Sequence, residues 1–331
     1  MDFNRFLSFW GHHFIMVAIW ITLTLSLNLI NGFCGLFSLG HQGFWMVGAY
    51  AAGITVVYMK GSLAGFILSF FAGMLAAAIF GVLVGLPCLR LKGDYLAIAT
   101  LGFSEILRNV VQNSETLGQS LGLQVPNVVR QMTDRNGSYF VFLALAWTIA
   151  ISTLLLLGNL IHSAQGRAIQ SIRDDERAAE LVGVNLTYYK MLVFTVGASI
   201  AGLAGAVFAN YNAFVTPEDF NFNAGVLMVV MVVLGGMGSF GGTIFATVLL
   251  YFMPVLLSIF LPHTRVPVFY DPTQGGVVYR EVKDLWQVFF SLLLIVVVLL
   301  RPQGILGGWK FGGSRTTKPP QPPALAGGAQ S

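Results

Sequence analysis

The chain has 331 residues, 56% of them hydrophobic and only 10% charged, with a mean hydropathy of +0.75 and a net charge of +4. A water-soluble domain carries about 25% charged residues to solvate its surface, so these values exclude one. The apolar surplus lies in runs without a single Asp, Glu, Lys or Arg, at residues 14–59, 61–89, 139–166, 191–217 and 220–264. One crossing of hydrocarbon takes about 20 apolar residues, so the longest runs must fold back inside a bilayer. Backbone groups there have to be paired within their own segment, and no strict short-range alternation marks a β-barrel, so the runs are helices.

In chain order, the N-terminus does not read as a cleaved signal: Asp2 and Arg5 leave no positive n-region, and no small-residue cleavage site follows. Spans are predicted at 14–30, 42–58, 65–89, 95–112, 139–161, 190–212, 225–235, 240–261 and 285–300. The seventh is only about a dozen residues and reads as broken or re-entrant. Cys34 and Cys88 sit in or beside apolar segments without ligand or redox spacing and read as small apolar filler. Gly73, Ala77, Gly81 and Gly85 recur every four residues, as do Gly197, Ala201, Gly205 and Ala209. Each set lines one helix face and lets a neighbouring backbone approach closely, which serves tight packing and also leaves room for a path beside it. The cluster Gly35-Leu-Phe-Ser38-Leu-Gly40-His41-Gln42-Gly43 is echoed by Gly236-Met-Gly-Ser239-Phe-Gly241-Gly242 in the second half. Breaks at matching places in two halves mark transport sites, because unwound backbone offers polar groups at depth. Glu105 and Arg108 are the ionisable residues inside a predicted span; at i,i+3 they share a face, as part of a path or as a pair that orients the helix end.

Between the fifth and sixth spans lies a charged segment, 163–190. Asp174 or Asp175 can cap a helix there, Gly183 is a natural stop, and Arg173–Glu176 and Arg177–Glu180 stand at i,i+3. Such a helix, with Ala179, Leu181 and Val182 interspersed, suits the docking of a soluble partner. Alternating spans place Arg90, Lys92, Arg167, Arg173, Arg177, Lys190, Arg301, Lys310, Arg315 and Lys318 on one side, against Lys60, Arg130, Arg135, Arg265, Arg280 and Lys283 on the other. The richer side is expected in the cytoplasm, with the C-terminus. Segments 113–138 and 262–284 are then polar outer loops, the second with turn pairs Asp271-Pro272 and Gly275-Gly276. Residues 312–331, rich in Gly, Pro, Gln and Ala, read as a disordered tail after a membrane domain of 1–311.

No phosphate-binding Gly-x-x-x-x-Gly-Lys-Ser/Thr loop occurs, nor a Gly-x-Ser-x-Gly elbow, and the five histidines have neither HExxH nor Cys-partnered zinc spacing. An enzyme therefore has no residues to stand on, and no metal or cofactor is expected. The basic pI near 9.1 follows the positive-inside pattern and does not call for nucleic acid. The scarcity of buried Asp, Glu and His speaks against a proton-driven secondary carrier, which with a channel is the rival class.

Glu176-Arg-Ala178-Ala179-x-x-x-Gly183 matches the Glu-x-Ala-Ala-x-x-x-Gly coupling segment of bacterial ABC-importer membrane subunits. The chain as a whole resembles the permease subunits of branched-chain amino-acid ABC importers, of the high-affinity leucine/isoleucine/valine type. The blocks that carry this are Leu27-Asn-Leu-Ile-Asn-Gly-Phe-Cys-Gly-Leu-Phe-Ser-Leu-Gly-His-Gln-Gly-Phe44 and Gly93-Asp-Tyr-Leu-Ala-Ile-Ala-Thr-Leu-Gly-Phe-Ser-Glu-Ile-Leu-Arg108. Ala198-Ser-Ile-Ala-Gly-Leu-Ala-Gly-Ala206, Leu234-Gly-Gly-Met-Gly-Ser-Phe-Gly-Gly242 and Arg301-Pro-Gln-Gly-Ile-Leu-Gly307 complete it. Relatives also import urea, short amides and other amino acids. The resemblance implies an all-α polytopic transmembrane bundle of about 8–10 spans, some broken or re-entrant, with a short cytoplasmic coupling helix. It also implies a bacterial inner-membrane pump in which the chain, set in membrane lipid, works with a second homologous permease, two cytoplasmic ABC ATPases and an extracytoplasmic substrate-binding protein. The expected ATPase-coupling residues are Arg167, Arg173, Asp174, Glu176, Ala178, Ala179 and Gly183. The expected path residues are Ser38, Gly40, His41, Gln42, Glu105, Arg108, Gly236, Ser239 and Gly241.

Overall fold

The computed structural model describes residues 3–260, apart from 89, 90, 92 and 134, together with the strands at 265–271 and 276–281. The predicted ninth span, 285–300, and the tail, 312–331, lie outside the described residues. The fold is an all-α polytopic bundle. Its helices are α1 (Phe3–Asn28), α2 (His41–Tyr58), α3 (Leu63–Cys88), α4 (Asp94–Asn113), α5 (Val128–Met132), α6 (Arg135–His162), α7 (Ala164–Asp174), α8 (Glu176–Leu181), α9 (Leu186–Asn212), α10 (Phe222–Gly235) and α11 (Phe240–Phe260). Among the described residues four helical stretches are long and apolar enough to cross a membrane: Trp10–Phe33, Leu63–Cys88, Gly137–His162 and Leu186–Asn212.

Burial separates the post of the bundle from its rim. The window of α1 is 83% buried, whereas those of α3 and α6 are 28% buried. The outward faces of α3 (Leu68, Phe71, Leu75, Leu83) and α6 (Leu155, Leu156) are apolar and exposed, as side chains solvated by lipid tails are. Small residues set the inner spacing, as their ladders predict. Gly73, Ala77 and Gly81 of α3 face α9, and a Cβ on Gly81 would come 2.6 Å from that of Ala198. On another face of α9, a Cβ on Gly205 would stand 2.7 Å from Ala49 N of α2. With no hydrophobic drive between helices in lipid, this close backbone contact is what holds them together.

The helices alternate in direction, so their connections gather at two ends. One end carries 34–40, 163–185 and 236–239. The far end carries 114–134 and 213–221, where β1 (Leu123–Gln124) pairs antiparallel with β2 (Phe214–Val215). After α11 the expected outer loop contains a hairpin, β3 (Arg265–Asp271) against β4 (Gly276–Glu281), with a register shift between Pro267 and Phe269. Asp271 ends the first strand and Gly276 begins the second, and the strands carry the β-branched and aromatic residues Val266, Val268, Tyr270, Val277, Val278 and Tyr279.

Candidate functional site: two recessed turns and a charged segment

The two Gly-Ser clusters are the connections α1–α2 and α10–α11, and both lie at the α7–α8 end. They are recessed. At 1.5 Å per residue α10, with 14 residues, spans about 21 Å, short of the roughly 30 Å of hydrocarbon. Leu39 N donates to Thr100 Oγ1 of α4 at 3.1 Å, and Thr100 stands six residues into α4, which sets the first turn about 9 Å inside that helix's end.

The residues that pin these turns come from the end of α1, which widens into a π turn at Leu29–Phe33. Asn31 clamps the first: its Nδ2 donates to Ser38 O and its Oδ1 accepts from Ser38 N, both at 3.1 Å. Asn28 holds the second: its Nδ2 donates to Ser239 O at 3.2 Å and to Thr243 Oγ1 at 2.9 Å, while its Oδ1 accepts from Gly238 N at 2.9 Å. Neither asparagine was among the expected site residues. Their signal was available, since an amide fully buried in an apolar run has to find partners.

The expected path residues of the first turn converge. Gly40 lies against the Thr100 carbonyl of α4, so α2 enters the bundle in direct backbone contact. Gln42 Nε2 donates to Ser104 Oγ at 2.9 Å. His41 Nε2 lies 2.8 Å from Ser26 Oγ, and that hydroxyl already donates to Leu23 O at 2.8 Å. Ser26 therefore accepts from the imidazole, which fixes the proton on Nε2 and leaves Nδ1 as an acceptor. His41 Nδ1, Ser38 Oγ, Gln42 Oε1 and Trp45 Nε1 are all buried and have no hydrogen-bond partner among the described residues. Each such group costs about 1–3 kcal/mol unless something polar meets it. In the second turn Gly236 and Ser239 are buried, and Gly241 lines a cavity of about 350 Å³ between α11 and α6, with Gly158 and His162 opposite.

Glu105 and Arg108 lie elsewhere. Arg108 Nε is 3.0 Å from Glu105 Oε2, and its Nη1 is 3.5 Å from Glu218 of the 213–221 connection, to which Gln112 Nε2 also donates at 3.1 Å. This partly exposed network ties the far end of α4 and does not meet the recessed turns. Glu218, 110 residues downstream of Arg108, had no local signal in the sequence.

The charged segment folds as two helices rather than one. Ser163 caps α7 by accepting from Gly166 N, and Asp175 caps α8 by accepting from Arg177 N at 2.8 Å and Ala178 N at 3.2 Å. The cap breaks the helix between Arg173 and Glu176, so their i,i+3 relation is lost; among the described residues neither Arg173–Glu176 nor Arg177–Glu180 is an ion pair. Glu176 instead meets Lys190 Nζ at 2.6 Å, with Lys190 largely buried, and so fastens α8 to α9. Gly183, at φ +88°, ends the segment in the left-handed region, with Gly183 N donating to Glu180 O at 3.0 Å. Ala178 and Ala179, expected on one surface, point apart: Ala179 is 2% exposed and turned inward. Ala178, Arg167 and Asp174 are exposed, as are Leu181 at 88% and Val182 at 78%. Two apolar side chains so displayed on a short polar helix are the feature a docking partner would cover.

Residues 12–299 match the family model of the branched-chain amino acid transport system permease component. The chain belongs to that family. It is 33% identical over 315 residues to the high-affinity branched-chain amino acid transport system permease protein LivM of Salmonella typhimurium, covering 88% of this chain and 68% of that protein, and equally to LivM of Escherichia coli. It is 26% identical over 301 residues to the high-affinity branched-chain amino acid transport system permease protein LivH of Escherichia coli, covering 86% of this chain and 90% of the relative. No solved structure matches it. As a member of a transport-permease family the chain is a multi-pass membrane protein, and both the recessed turns and the α7–α8 segment lie within the matched residues.

Proposed function

We propose that this chain is the membrane permease subunit of a binding-protein-dependent ABC importer and forms the translocation path for leucine, isoleucine and valine. Two ABC ATPases in the cytoplasm supply the energy, one of them docking on the 163–190 segment. A second homologous permease completes the path, and an extracytoplasmic binding protein delivers the solute. The segment end of the bundle faces the cytoplasm of a bacterial inner membrane, as does the C-terminal tail.

The observation that carries this reading is the juxtaposition at one end of the bundle. Buried neutral polar atoms at two recessed turns lie beside a capped pair of short helices that shows Leu181 and Val182 to solvent. Irregular backbone at membrane depth persists where it is buried in protein or faces water. A path whose contacts are the neutral side chains of Ser38, His41, Gln42 and Ser239 passes a zwitterion without trapping it. The same neutral set suits urea or a short amide, which is the second reading. Uptake of labelled leucine, valine, urea and glutamate by a deletion strain, with and without the restored gene, decides between them. Restored uptake of leucine and valine alone is expected; restored urea uptake alone moves the chain to the second reading.

A further inference from the structure

Arg173 stands near the C-terminal end of α7, and its side chain leaves the charged segment to lie on both glycine-rich turns. A Cβ on Gly35 would come 3.2 Å from Arg173 Cγ and 3.4 Å from its Cα and Cβ, so the backbone of α7 itself rests on the first turn. A Cβ on Gly238 would come 2.5 Å from Arg173 Nη1, so the guanidinium reaches the second. Both glycines have positive φ, +75° and +83°. Both turns lead directly into a helix, α2 and α11. From the other side, Asn28 and Asn31 tie the same two turns to the end of α1.

We propose that Arg173 is the positioning residue through which displacement of the α7–α8 segment reaches both recessed turns, and with them the first turns of α2 and α11. This rests on the importer reading above. Three observations carry it. The guanidinium is in no ion pair among the described residues, so its reach toward Gly238 is not the by-product of a salt bridge. The root of α7 is firm, because Ile169 and Ile172 are buried and Asp175 caps α8 directly behind it, so a push on α8 moves Arg173 with it. Among the described residues α8 is also tied to α9 by the Glu176–Lys190 contact, which does not reach Gly238 and the second turn. Arginine suits the task because its planar fork extends one bond beyond a lysine and stays charged; a lysine would keep the contact with Gly35 and lose the reach to Gly238.

The test uses the complete importer (both permeases, ATPases and binding protein) in proteoliposomes, and reads molecules of leucine taken up per ATP hydrolysed. For Arg173→Ala that ratio is expected to fall at least tenfold while the ATPase still co-purifies with the permease; for Arg173→Lys it should fall to an intermediate value. If the alanine chain does not accumulate, Arg173→Met, which keeps the stem on Gly35, replaces it with the same expectation. A ratio within twofold of the parent in the alanine or methionine variant overturns the proposal. So does loss of ATPase association in proportion to uptake, which would make Arg173 a docking residue. A parent complex that assembles without an ATPase or takes up no leucine defeats the underlying reading instead.

Discussion

Asn28 ties the second recessed turn to the end of α1. Its amide meets Gly238, Ser239 and Thr243 at once, across 210 residues of chain in the first case, and it does so from a fully buried position. Replacing it by Leu strands the Gly238 N–H at about 1–3 kcal/mol where water is excluded, while Ser239 O keeps its donors Thr243 N and Oγ1. Gln42→Leu is the contrast: it removes an oxygen that has no protein partner, and Ser104 still donates to Leu101 O. Thermal unfolding in detergent should show Asn28→Leu clearly less stable and Gln42→Leu within about 1 kcal/mol of the parent. If Gln42 faces the path, uptake by the second variant should nonetheless fall severalfold. Unchanged uptake would remove Gln42 from the path.

Among the elements, α7 and α8 show how far a sequence can be taken. The polar composition, the cap and the Gly183 stop were all legible in residues 163–190, because capping and positive-φ glycines leave local marks. The division at Asp175 was not, since two adjacent aspartates, Asp174 and Asp175, can each cap and only packing against α9 chooses. That choice separates the roles of neighbours. Leu181→Glu alters an exposed residue, so insertion and stability should be those of the parent while co-purification of the ATPase drops. Ala179→Trp should overpack the buried side of α8 and lower stability by about 1–3 kcal/mol before any docking is read. Equal ATPase yield with Leu181→Glu would place docking elsewhere. The hairpin β3–β4 was missed for a related reason: its turn pairs were visible, yet a short β-branched run beside polar residues reads equally as loop.

At the scale of the molecule, the long uncharged runs sufficed to place the long apolar helices among the described residues, down to the short α10 expected at 225–235 and found at Phe222–Gly235. The alternation of the predicted spans already sets both Gly-Ser clusters at one end, but it could not reveal that Asn28 of α1 pins the second of them, because that contact is made between the two halves of the chain and leaves no local pattern. Orientation is testable at this scale. In a chain with Cys34→Ser and Cys88→Ser, Leu121→Cys should react with an impermeant thiol reagent in intact cells, while Glu180→Cys should react only after permeabilisation. Both positions are exposed. The opposite pattern would put the α7–α8 segment outside and end the ATPase reading.

The brevity of α10 has an electrical side. Where a helix of about 21 Å stands in for a membrane core of about 30 Å, the insulating layer is thinned by nearly a third, and the field across it steepens in proportion. A zwitterion carries no net charge through that field and feels it only as a torque on its dipole, so the potential turns the solute without driving it. The force for accumulation then comes from whatever pushes on α8, at the same end of the bundle.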